Sequence, residues 1–246
     1  MRRVMRIALP AAILGILWAG FGEPALAQEI SLNLGEGGTL TGRIVQLIAL
    51  ITILSLAPSI LMMVTSFTRI VVVFSLLRSA IGVQQSPPNA VLISLALFLT
   101  GFIMAPTFTE AYNNAVKPLM DDQITATEAF DVGVVPFRTF MLKHVREEDL
   151  QLFVDMSGQE VATPEDTPIQ ALIPAFMISE LKRAFEIGFL IFVPFIIIDM
   201  VVASVLMSMG MMMLPPIMIS LPFKLIFFVL VDGWHLITGS LVESFL

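Results

Sequence analysis

Two charged side chains lie inside apolar runs, and they are the first candidates for chemistry in this chain. Asp199 is the single charge in residues 196–202, and Lys224 is the single charge in residues 221–226. A charge at the middle of a bilayer costs about 2.5–3.5 kcal/mol on insertion scales, so each side chain needs a partner. We therefore predict a buried ion pair between Asp199 and Lys224, formed either within one chain or between subunits.

Such a pair has two interpretations. In the first, it is structural and fastens two helices or two subunits together. In the second, it belongs to a proton or ion pathway in a small secondary transporter or ion channel. A proton relay needs several acidic groups in series, and only Asp199 qualifies in these segments. A transporter would also favour an inverted repeat, which the sequence does not display. The structural interpretation is therefore preferred.

A methionine-rich segment lies between these two charges. Five methionines fall within residues 207–213, Gly210 permits a sharp turn, and Pro215 and Pro216 cannot continue a helix. The segment includes three consecutive methionines: Met211, Met212 and Met213. Consecutive residues of a helix point in different directions, so one helical interface does not explain them. They are either packing or lipid contacts or, if several copies surround an axis, a compliant plug of flexible side chains.

A second charged patch precedes the third apolar segment and contains four residues: Glu180, Lys182, Arg183 and Glu186. Lys182 and Glu186 are four residues apart and can pair on a helix, although lysine before glutamate is the weaker order. Two interpretations remain open for the patch. It is a solvated entrance to the helix, or it is a contact between subunits.

The composition indicates a membrane protein. Of 246 residues, 57% are apolar and 13% are charged, whereas soluble domains average roughly 45–50% and about 25%. A net charge of -7 excludes a nucleic-acid binder, and the apolar content excludes disorder. Without cysteine, and with two histidines, the chain has no disulfide, thiolate zinc site or histidine-rich metal site. No phosphate loop, nucleophile elbow or zinc-binding helix motif occurs, so we expect neither an enzyme nor a cofactor.

Four apolar segments must position the candidate residues. Each is near the ~20 residues that cross ~30 Å of hydrocarbon as a helix: residues 44–64, 91–108, 187–206 and 217–237. Prolines interrupt or border them: Pro58, Pro106, Pro174, Pro194, Pro215, Pro216 and Pro222. We therefore predict an all-α membrane protein of proline-kinked helical hairpins with a mostly helical periplasmic insertion.

The N-terminus has the features of a secretory signal peptide. Arg2, Arg3 and Arg6 precede an apolar stretch over residues 7–21, and Ala25-Leu26-Ala27 is a small-x-small site. We predict cleavage between Ala27 and Gln28. The alternative is an uncleaved first membrane helix, but Gly20, Gly22 and Pro24 would break that helix just before the site.

Charge asymmetry sets the predicted orientation. The connection between the first two segments contains Arg69 and Arg78 and no acidic residue, so the positive-inside rule places it in the cytoplasm. The stretch from residue 110 to 168 has 12 acidic and 4 basic residues and would lie outside. Within it, Glu147, Glu148 and Asp149 are interpreted as a solvated helix face.

These observations divide the chain into five parts: a signal peptide at 1–27, a periplasmic segment at 28–43, a first apolar hairpin at 44–109, an acidic periplasmic domain at 110–168, and a second apolar hairpin with the methionine turn at 169–246.

Several separate motifs, in order, resemble those of the FliP family. They are residues 61–73 (LMMVTSFTRIVVV), 84–89 (QQSPPN), 176–182 (FMISELK), the methionine turn at 210–216, and Asp232-Gly233-Trp234. The resemblance extends from about residue 44 to the C-terminus. The family includes the flagellar export-gate protein and its virulence-secretion relatives, often called SctR. A cleavable signal peptide with an N-terminal extension favours the flagellar branch.

The resemblance implies a core, pore-forming subunit of the type III export gate in the flagellar basal body of the bacterial inner membrane, passing unfolded export substrates. It implies about five copies of the chain, assembled with FliQ and one FliR, contacted by FlhB, with FlhA and the MS ring nearby. The complex would be drawn largely out of the bilayer plane, to the periplasmic side. Met211, Met212 and Met213 would match the methionine gasket that closes the pore. On this ground the plug interpretation is preferred to packing.

Overall fold

The computed structural model describes residues 40–83, 85–158, 161–211 and 214–246. The predicted signal peptide, its cleavage site at Ala27 and Gln28, and most of the predicted periplasmic segment lie outside the described residues. The chain divides into two units, Met1–Thr52 and Ile53–Leu246. In the first unit, the described residues are the beginning of one helix. The packing described below belongs to the second unit.

The described part of the chain is built from helices. The α-helices are α1 Leu40–Met63, α2 Phe67–Ile81, α3 Asn89–Ala111, α4 Lys117–Met120, α5 Ala126–His144, α6 Glu147–Ser157, α7 Ile169–Ser208, α8 Pro216–Leu230 and α9 Gly233–Glu243. A π-helical turn, Tyr112–Val116, joins α3 to α4, and a 3-10 turn, Pro164–Asp166, precedes α7.

Within the described residues, two helical stretches are long and apolar enough to cross a membrane by themselves, Asn89–Met120 and Ile169–Ser208. Two further pairs pass the same test only when their helices are taken together: residues 47–63 with α2, and α8 with α9. The prediction of an all-α membrane protein is confirmed. The fourth predicted segment, residues 217–237, is not one straight helix, because α8 and α9 meet at an angle of 61°.

The connection between the first two predicted segments is a core helix, α2, and not a charged loop, while its placement in the cytoplasm stays a prediction. One face of α2 is fully buried against α7 and α3, and its side chains recur at helical spacing: Ile70, Val73, Phe74 and Leu77. Arg69 is also buried, at 1% exposure. Because it is buried, Arg69 does not indicate which side of the membrane this connection faces, as a solvated arginine in a loop would.

The helices α2 and α7 are in close contact at Gly188. A Cβ atom at this position would overlap the side chain of Leu76, so only hydrogen fits between the two helices there. The helix α2 then ends at Gly82, whose φ of +90° is readily adopted by glycine and whose N–H donates to the carbonyl of Ser79 at 3.1 Å.

The prolines of the apolar segments lie both inside helices and at a helix start. Five lie inside helices that continue through them: Pro58, Pro106, Pro174, Pro194 and Pro222. Pro216 is the first residue of α8, where the missing N–H has no helical partner to lose. The bend between α8 and α9 falls instead at Val231 and Asp232.

The acidic insertion is helical and is tied to α7 by side chains. The helix α5 begins with a capping box, in which Glu128 N–H donates to Thr125 Oγ1 at 3.3 Å and Thr125 N–H donates to Glu128 Oε2 at 2.8 Å. The hydrogen bonds from the Thr125 backbone and hydroxyl lower the pKa of Glu128.

Asp149 does not belong to a solvated face, contrary to the sequence interpretation. Its side chain is buried, and Oδ2 accepts a 2.7 Å hydrogen bond from Ser179 Oγ on α7. The same hydroxyl accepts the backbone N–H of Arg146 at 3.0 Å. Glu147 and Glu148 are exposed, as a solvated face requires. The start of α6 is therefore attached to α7 through one buried carboxylate.

Replacing Gly188 tests the close contact of α2 and α7. We expect Gly188→Ala to lower the Tm of the detergent-extracted protein, because the added methyl group displaces Leu76 and overpacking costs about 1–3 kcal/mol. Gly101→Ala is the matched control on α3, since a methyl group added there would meet no heavy atom within 4 Å. This control should be neutral or stabilising by about 0.5–1 kcal/mol. Equal Tm values for both variants would contradict the close contact.

Candidate functional site

Asp199 and Lys224 form an ion pair within the chain. Lys224 Nζ, on α8, lies 2.6 Å from Asp199 Oδ2, on α7. Ser220 lies one turn before Lys224 on the same face of α8, and its hydroxyl donates to Asp199 Oδ1 at 2.5 Å. Both carboxylate oxygens therefore have a donor, and both donors come from one helix. This arrangement fastens α8 to α7.

The two charges differ in burial. The Lys224 side chain is 6% exposed, whereas the Asp199 side chain is 32% exposed. Lys224 Nζ also lies 3.4 Å from the carbonyl oxygen of Ala80, in the last turn of α2. A cation is stabilised at a helix C-terminus, where carbonyl groups lack intrahelical partners. Lys224 therefore connects three helices, and Asp199 is the member that solvent or a partner can reach.

The surroundings of the ion pair do not favour the alternative of a proton pathway. The cavity that contains the pair is lined by one carboxylate, that of Asp199, among the residues the structure describes. A relay in series would place further acidic groups along the same cavity. The contacts of Lys224 with α7 and with the end of α2 are those of a structural fastening.

The methionine turn follows directly from the end of α7. Gly210 has a φ of +75°, and its N–H donates to the carbonyl of Met207 at 3.0 Å. The N–H of Met211 donates to the carbonyl of Leu206, also at 3.0 Å. These two bonds, around a left-handed glycine, are the Schellman arrangement for ending a helix. The turn therefore depends on the backbone and on Gly210, and not on the methionine side chains.

The methionine side chains around this turn are exposed in the chain. Met207 is 57% exposed, Met209 65% and Met211 42%. Met212 and Met213, the other two predicted gasket residues, lie outside the described residues. Exposed apolar side chains at a helix end have no packing role within the described fold, so they are available to contact lipid or other chains.

The predicted charged patch separates into two parts. Glu180 is fully buried, and its carboxylate is held by Arg69 of α2, with Arg69 Nε donating to Oε2 at 2.9 Å and a second bond between Nη2 and Oε1. Glu180 is therefore neither solvated nor free for another subunit. Lys182 and Glu186 are exposed, and the structure shows no ion pair between them within the described residues. Arg183 is half-buried.

The Arg69–Glu180 pair was missed in the sequence analysis, although a signal for it was present. Arg69 directly precedes the apolar run 70–74, so the reasoning that sought a partner for Asp199 applies to it as well. Glu180 gave no such signal, because Lys182 and Arg183 follow it closely. Arg69 also donates from Nη1 to Ser244 Oγ at 2.9 Å and to the Ser244 carbonyl at 3.2 Å. Its guanidinium carbon lies 3.7 Å from the ring centroid of Phe245, a cation–π contact. Arg69 thus joins α2, α7 and the segment after α9.

His144 lies beside this cluster in an aromatic setting. The imidazole is 5% exposed and packs against the rings of Phe140 and Phe245, at centroid distances of 4.7 and 5.2 Å. Its Nε2 atom has no hydrogen-bond partner among the described residues. Burial, with a smaller contribution from the positive charges of Arg69, Lys143 and Arg183, lowers the pKa of His144 from 6.5 to about 4. The side chain is therefore neutral at physiological pH.

Substitution of the Asp199–Lys224 pair should have unequal effects. We expect Asp199→Ala to impair folding and assembly more than Lys224→Ala. Asp199→Ala leaves the buried ammonium group of Lys224 unpaired, whereas Lys224→Ala leaves the carboxylate of Asp199, which solvent still reaches. Removing one partner of a fully buried pair costs about 3–5 kcal/mol, and the exposure of Asp199 reduces this for Lys224→Ala. The measurement is the yield of assembled complex after detergent extraction.

The charge-swapped double variant, with Asp199→Lys and Lys224→Asp, should recover part of the loss. Lys117→Ala is the matched control, since it removes an exposed lysine of α4 and should assemble normally. If both single variants assemble like the wild type, or if the swap recovers nothing after both fail, the pairing has no structural role.

The neutral His144 predicts a pH dependence of stability. Between about pH 6.5 and 4 the unfolded chain binds a proton at this histidine and the folded chain does not, so stability falls as the pH falls through this range. Replacing His144 with phenylalanine removes this component, and the Tm of His144→Phe should decline less than that of the wild type. His235→Gln, at an exposed position, should retain the wild-type profile. Parallel Tm profiles for His144→Phe and the wild type would contradict the assignment.

Comparison with known proteins shows which family the sequence belongs to. The sequence model of the FliP family matches residues 50–241. The flagellar biosynthetic protein FliP of Caulobacter vibrioides is 61% identical over 242 residues, covering 98% of this chain and 91% of the relative. The proteins of the same name from Bacillus subtilis and Aquifex aeolicus are 58% identical over 204 residues and 49% identical over 244. These alignments cover 82% and 98% of this chain, and 91% and 100% of the relatives. With well over half of its length matched, the chain belongs to the FliP family.

Proposed function

We propose that this chain is a pore-forming subunit of the flagellar type III protein export gate, and that its methionine turn closes the pore. As a member of the FliP family, the chain is a component of flagellar biosynthesis and export. The observation that carries the finer proposal is the turn at the end of α7, where Gly210 fixes the backbone and the side chains of Met207, Met209 and Met211 remain exposed.

A closed gate needs a constriction that excludes water and ions yet parts around a passing chain. Hydrophobic constrictions exclude ions by dewetting. Methionine is unbranched and changes rotamer without large strain, so a ring of methionine side chains can deform and close again. In the proposal, Met211, Met212 and Met213 from about five copies of the chain converge on one axis and form this ring.

The exposed apolar surface of the chain supports assembly with other subunits and lipid. On α7, Phe185, Phe189 and Leu190 are 58%, 69% and 68% exposed. On α8, Val229 and Leu230 are 75% and 79% exposed. A membrane-embedded subunit covers such surfaces with lipid or neighbouring chains. We propose that the neighbours are further copies of this chain, FliQ and FliR, with FlhB in contact and FlhA and the MS ring nearby.

The proposal includes the location of the parts of the chain. The signal peptide is removed between Ala27 and Gln28, so the mature chain begins outside the cytoplasm. The acidic insertion at 110–168 lies on the periplasmic side, and the assembly sits at the inner membrane within the flagellar basal body. Energy for export comes from other components, since the sequence contains no nucleotide-binding loop. The substrates are unfolded flagellar proteins.

The second candidate is a small transporter or channel that uses the Asp199–Lys224 pair. One observation favours it, namely that Asp199 is 32% exposed to a cavity. Lys224 and Ser220 occupy both oxygens of that carboxylate, however, and no second carboxylate lines the described cavity. The export gate remains the better supported function.

Replacing the three methionines tests the gasket. We expect a triple variant, with Met211→Ala, Met212→Ala and Met213→Ala, to fold and assemble, because the turn is held by Gly210 and backbone hydrogen bonds. The closed gate should leak, because alanine leaves the ring too wide to dewet. The measurement is uptake of a small solute, or membrane conductance, in cells that carry the variant. Bulkier β-branched residues at the same positions should slow export instead.

The matched control removes three exposed methionines elsewhere, Met120, Met156 and Met200, which are 72%, 73% and 63% exposed. It loses the same number of thioether groups and should not leak. A triple variant at 211–213 that assembles, exports normally and leaks no more than this control would show that those methionines are ordinary packing.

A further inference from the structure

Glu186 is a carboxylate without a counter-charge on the longest helix of the described fold. The helix α7 carries three carboxylates: Glu180, Glu186 and Asp199. Glu180 is paired with Arg69 and Asp199 with Lys224, whereas no described residue forms an ion pair with Glu186. Glu186 also lies in the middle of the helix, so the positive end of a helix does not stabilise it. It is therefore the unpaired carboxylate of α7.

The side chains around Glu186 form an exposed apolar face. Phe185, Phe189 and Leu190 are each more than half exposed, and Glu186 is exposed with them. Gly188 contacts α2, and residues two apart on a helix point about 200° apart, so Glu186 projects away from α2. Exposed apolar faces of this kind mark contacts with other chains or lipid. When another chain covers this face, Glu186 needs a counter-charge from that chain.

Arg78 has the complementary need on α2. Its Nη1 donates to Asn89 Oδ1 at 2.5 Å and to the carbonyl of Pro87 at 3.4 Å, both neutral acceptors. No carboxylate among the described residues forms an ion pair with it. Its guanidinium has five donors in a planar fork, so N–H groups remain for a carboxylate. Arg78 also borders a cavity of about 620 Å³ at the end of α2, which leaves space for a side chain of another molecule.

The two unpaired charges lie at similar levels along α2 and α7. Arg69 pairs with Glu180, and seven residues later on α2 Leu76 contacts Gly188, which is eight residues further along α7. The two helices therefore run parallel, and the unpaired side chains differ in level by about one helical turn, about 5 Å. The long side chain of an arginine can cover this offset.

The two charges lie on different sides of the chain, which fits a contact between unlike faces of identical subunits. Arg78 is bonded to the first residue of α3, whereas Glu186 projects from the side of α7 that faces away from α2. A contact between unlike faces is heterologous, and such contacts close into rings. Lys182 lies one turn before Glu186 on the same face of α7, so it is not across such an interface from it.

We propose that Glu186 of one copy of this chain pairs with Arg78 of the next copy around the assembly. The apolar face around Glu186 then packs against the end of α2 and the start of α3 in that neighbour. Guanidinium and carboxylate groups form paired hydrogen bonds, which fix the orientation of one copy on the next. The inference rests on the proposed function, since it names the residues that join the copies of the gate subunit. The contact is separate from the methionine turn.

Cross-linking tests the contact directly in the full chain, because the sequence contains no cysteine. A double variant, with Arg78→Cys and Glu186→Cys, is treated in membranes with a short bifunctional methanethiosulfonate. The reagent is needed because two cysteine side chains are shorter than the arginine and glutamate that they replace. We expect a ladder of covalent multimers on a denaturing gel. Each single-cysteine variant should remain a monomer under the same treatment.

Charge variants test the pairing itself. Arg78→Glu and Glu186→Arg should each lower the yield of detergent-extracted multi-copy complex at least about fivefold, because like charges then face each other across the contact. The double swap, with both substitutions, should recover most of the loss. Asp131→Arg is the matched control, because it reverses an exposed carboxylate of α5, and its yield should stay within about twofold of the wild type.

Several outcomes would overturn the pairing and leave the proposed function standing. The wild type would extract as a multi-copy complex, while the 78–186 double-cysteine variant gives no multimers or the charge swap recovers nothing. Normal assembly of both single charge variants would have the same meaning. A ladder from Arg78→Cys with Asp232→Cys instead would assign the contact to Asp232, the exposed carboxylate before α9. A wild type that extracts as a single chain would contradict the pairing and the proposed function together.

Discussion

A charged side chain buried among apolar helices needs a counter-charge beside it, and in this fold two ion pairs meet that need. The pairs determine how α2, α7 and α8 pack. Arg69 and Glu180 hold α2 against α7, while Asp199 and Lys224 hold α8 against α7 further along the same helix. Neither pair need add net stability compared with apolar residues, because desolvation offsets much of the Coulomb attraction. What each pair provides is specificity, since any other register would leave a buried charge alone.

The close contact at Gly188 acts in the same direction as the ion pairs. It lies between the levels of Glu180 and Asp199 on α7, where hydrogen alone fits beside Leu76. The register of α2 on α7 is thus set by charge at one level and by shape at another. The carboxylate of Asp149, bonded to Ser179, extends the same control to the acidic insertion. Most of the described fold is organised around one long helix.

Much of this arrangement could be read from the sequence, and the failures have physical causes. The apolar segments and the pairing of Asp199 with Lys224 could be predicted from the sequence, because these two residues lie on consecutive segments that contain few other charged residues. Arg69 and Glu180 are 111 residues apart. A hydropathy window lowers its score at any arginine, because it contains no information about a partner that is distant in sequence. The bend after α8 also depends on tertiary contacts, since Trp234 packs on Phe74 and Phe228 at centroid distances of 6.1 and 5.5 Å.

The turn at Gly210 has a consequence for how this protein can change over evolutionary time. Its helix-ending hydrogen bonds run between backbone atoms, from Gly210 to Met207 and from Met211 to Leu206. Substituting the neighbouring side chains leaves those bonds in place, provided the glycine is kept. The helix end and the side chains beside it can therefore change independently at this point of the chain. Single substitutions can alter the size and stiffness of the side chains exposed at this turn, without a compensating change elsewhere in the described fold.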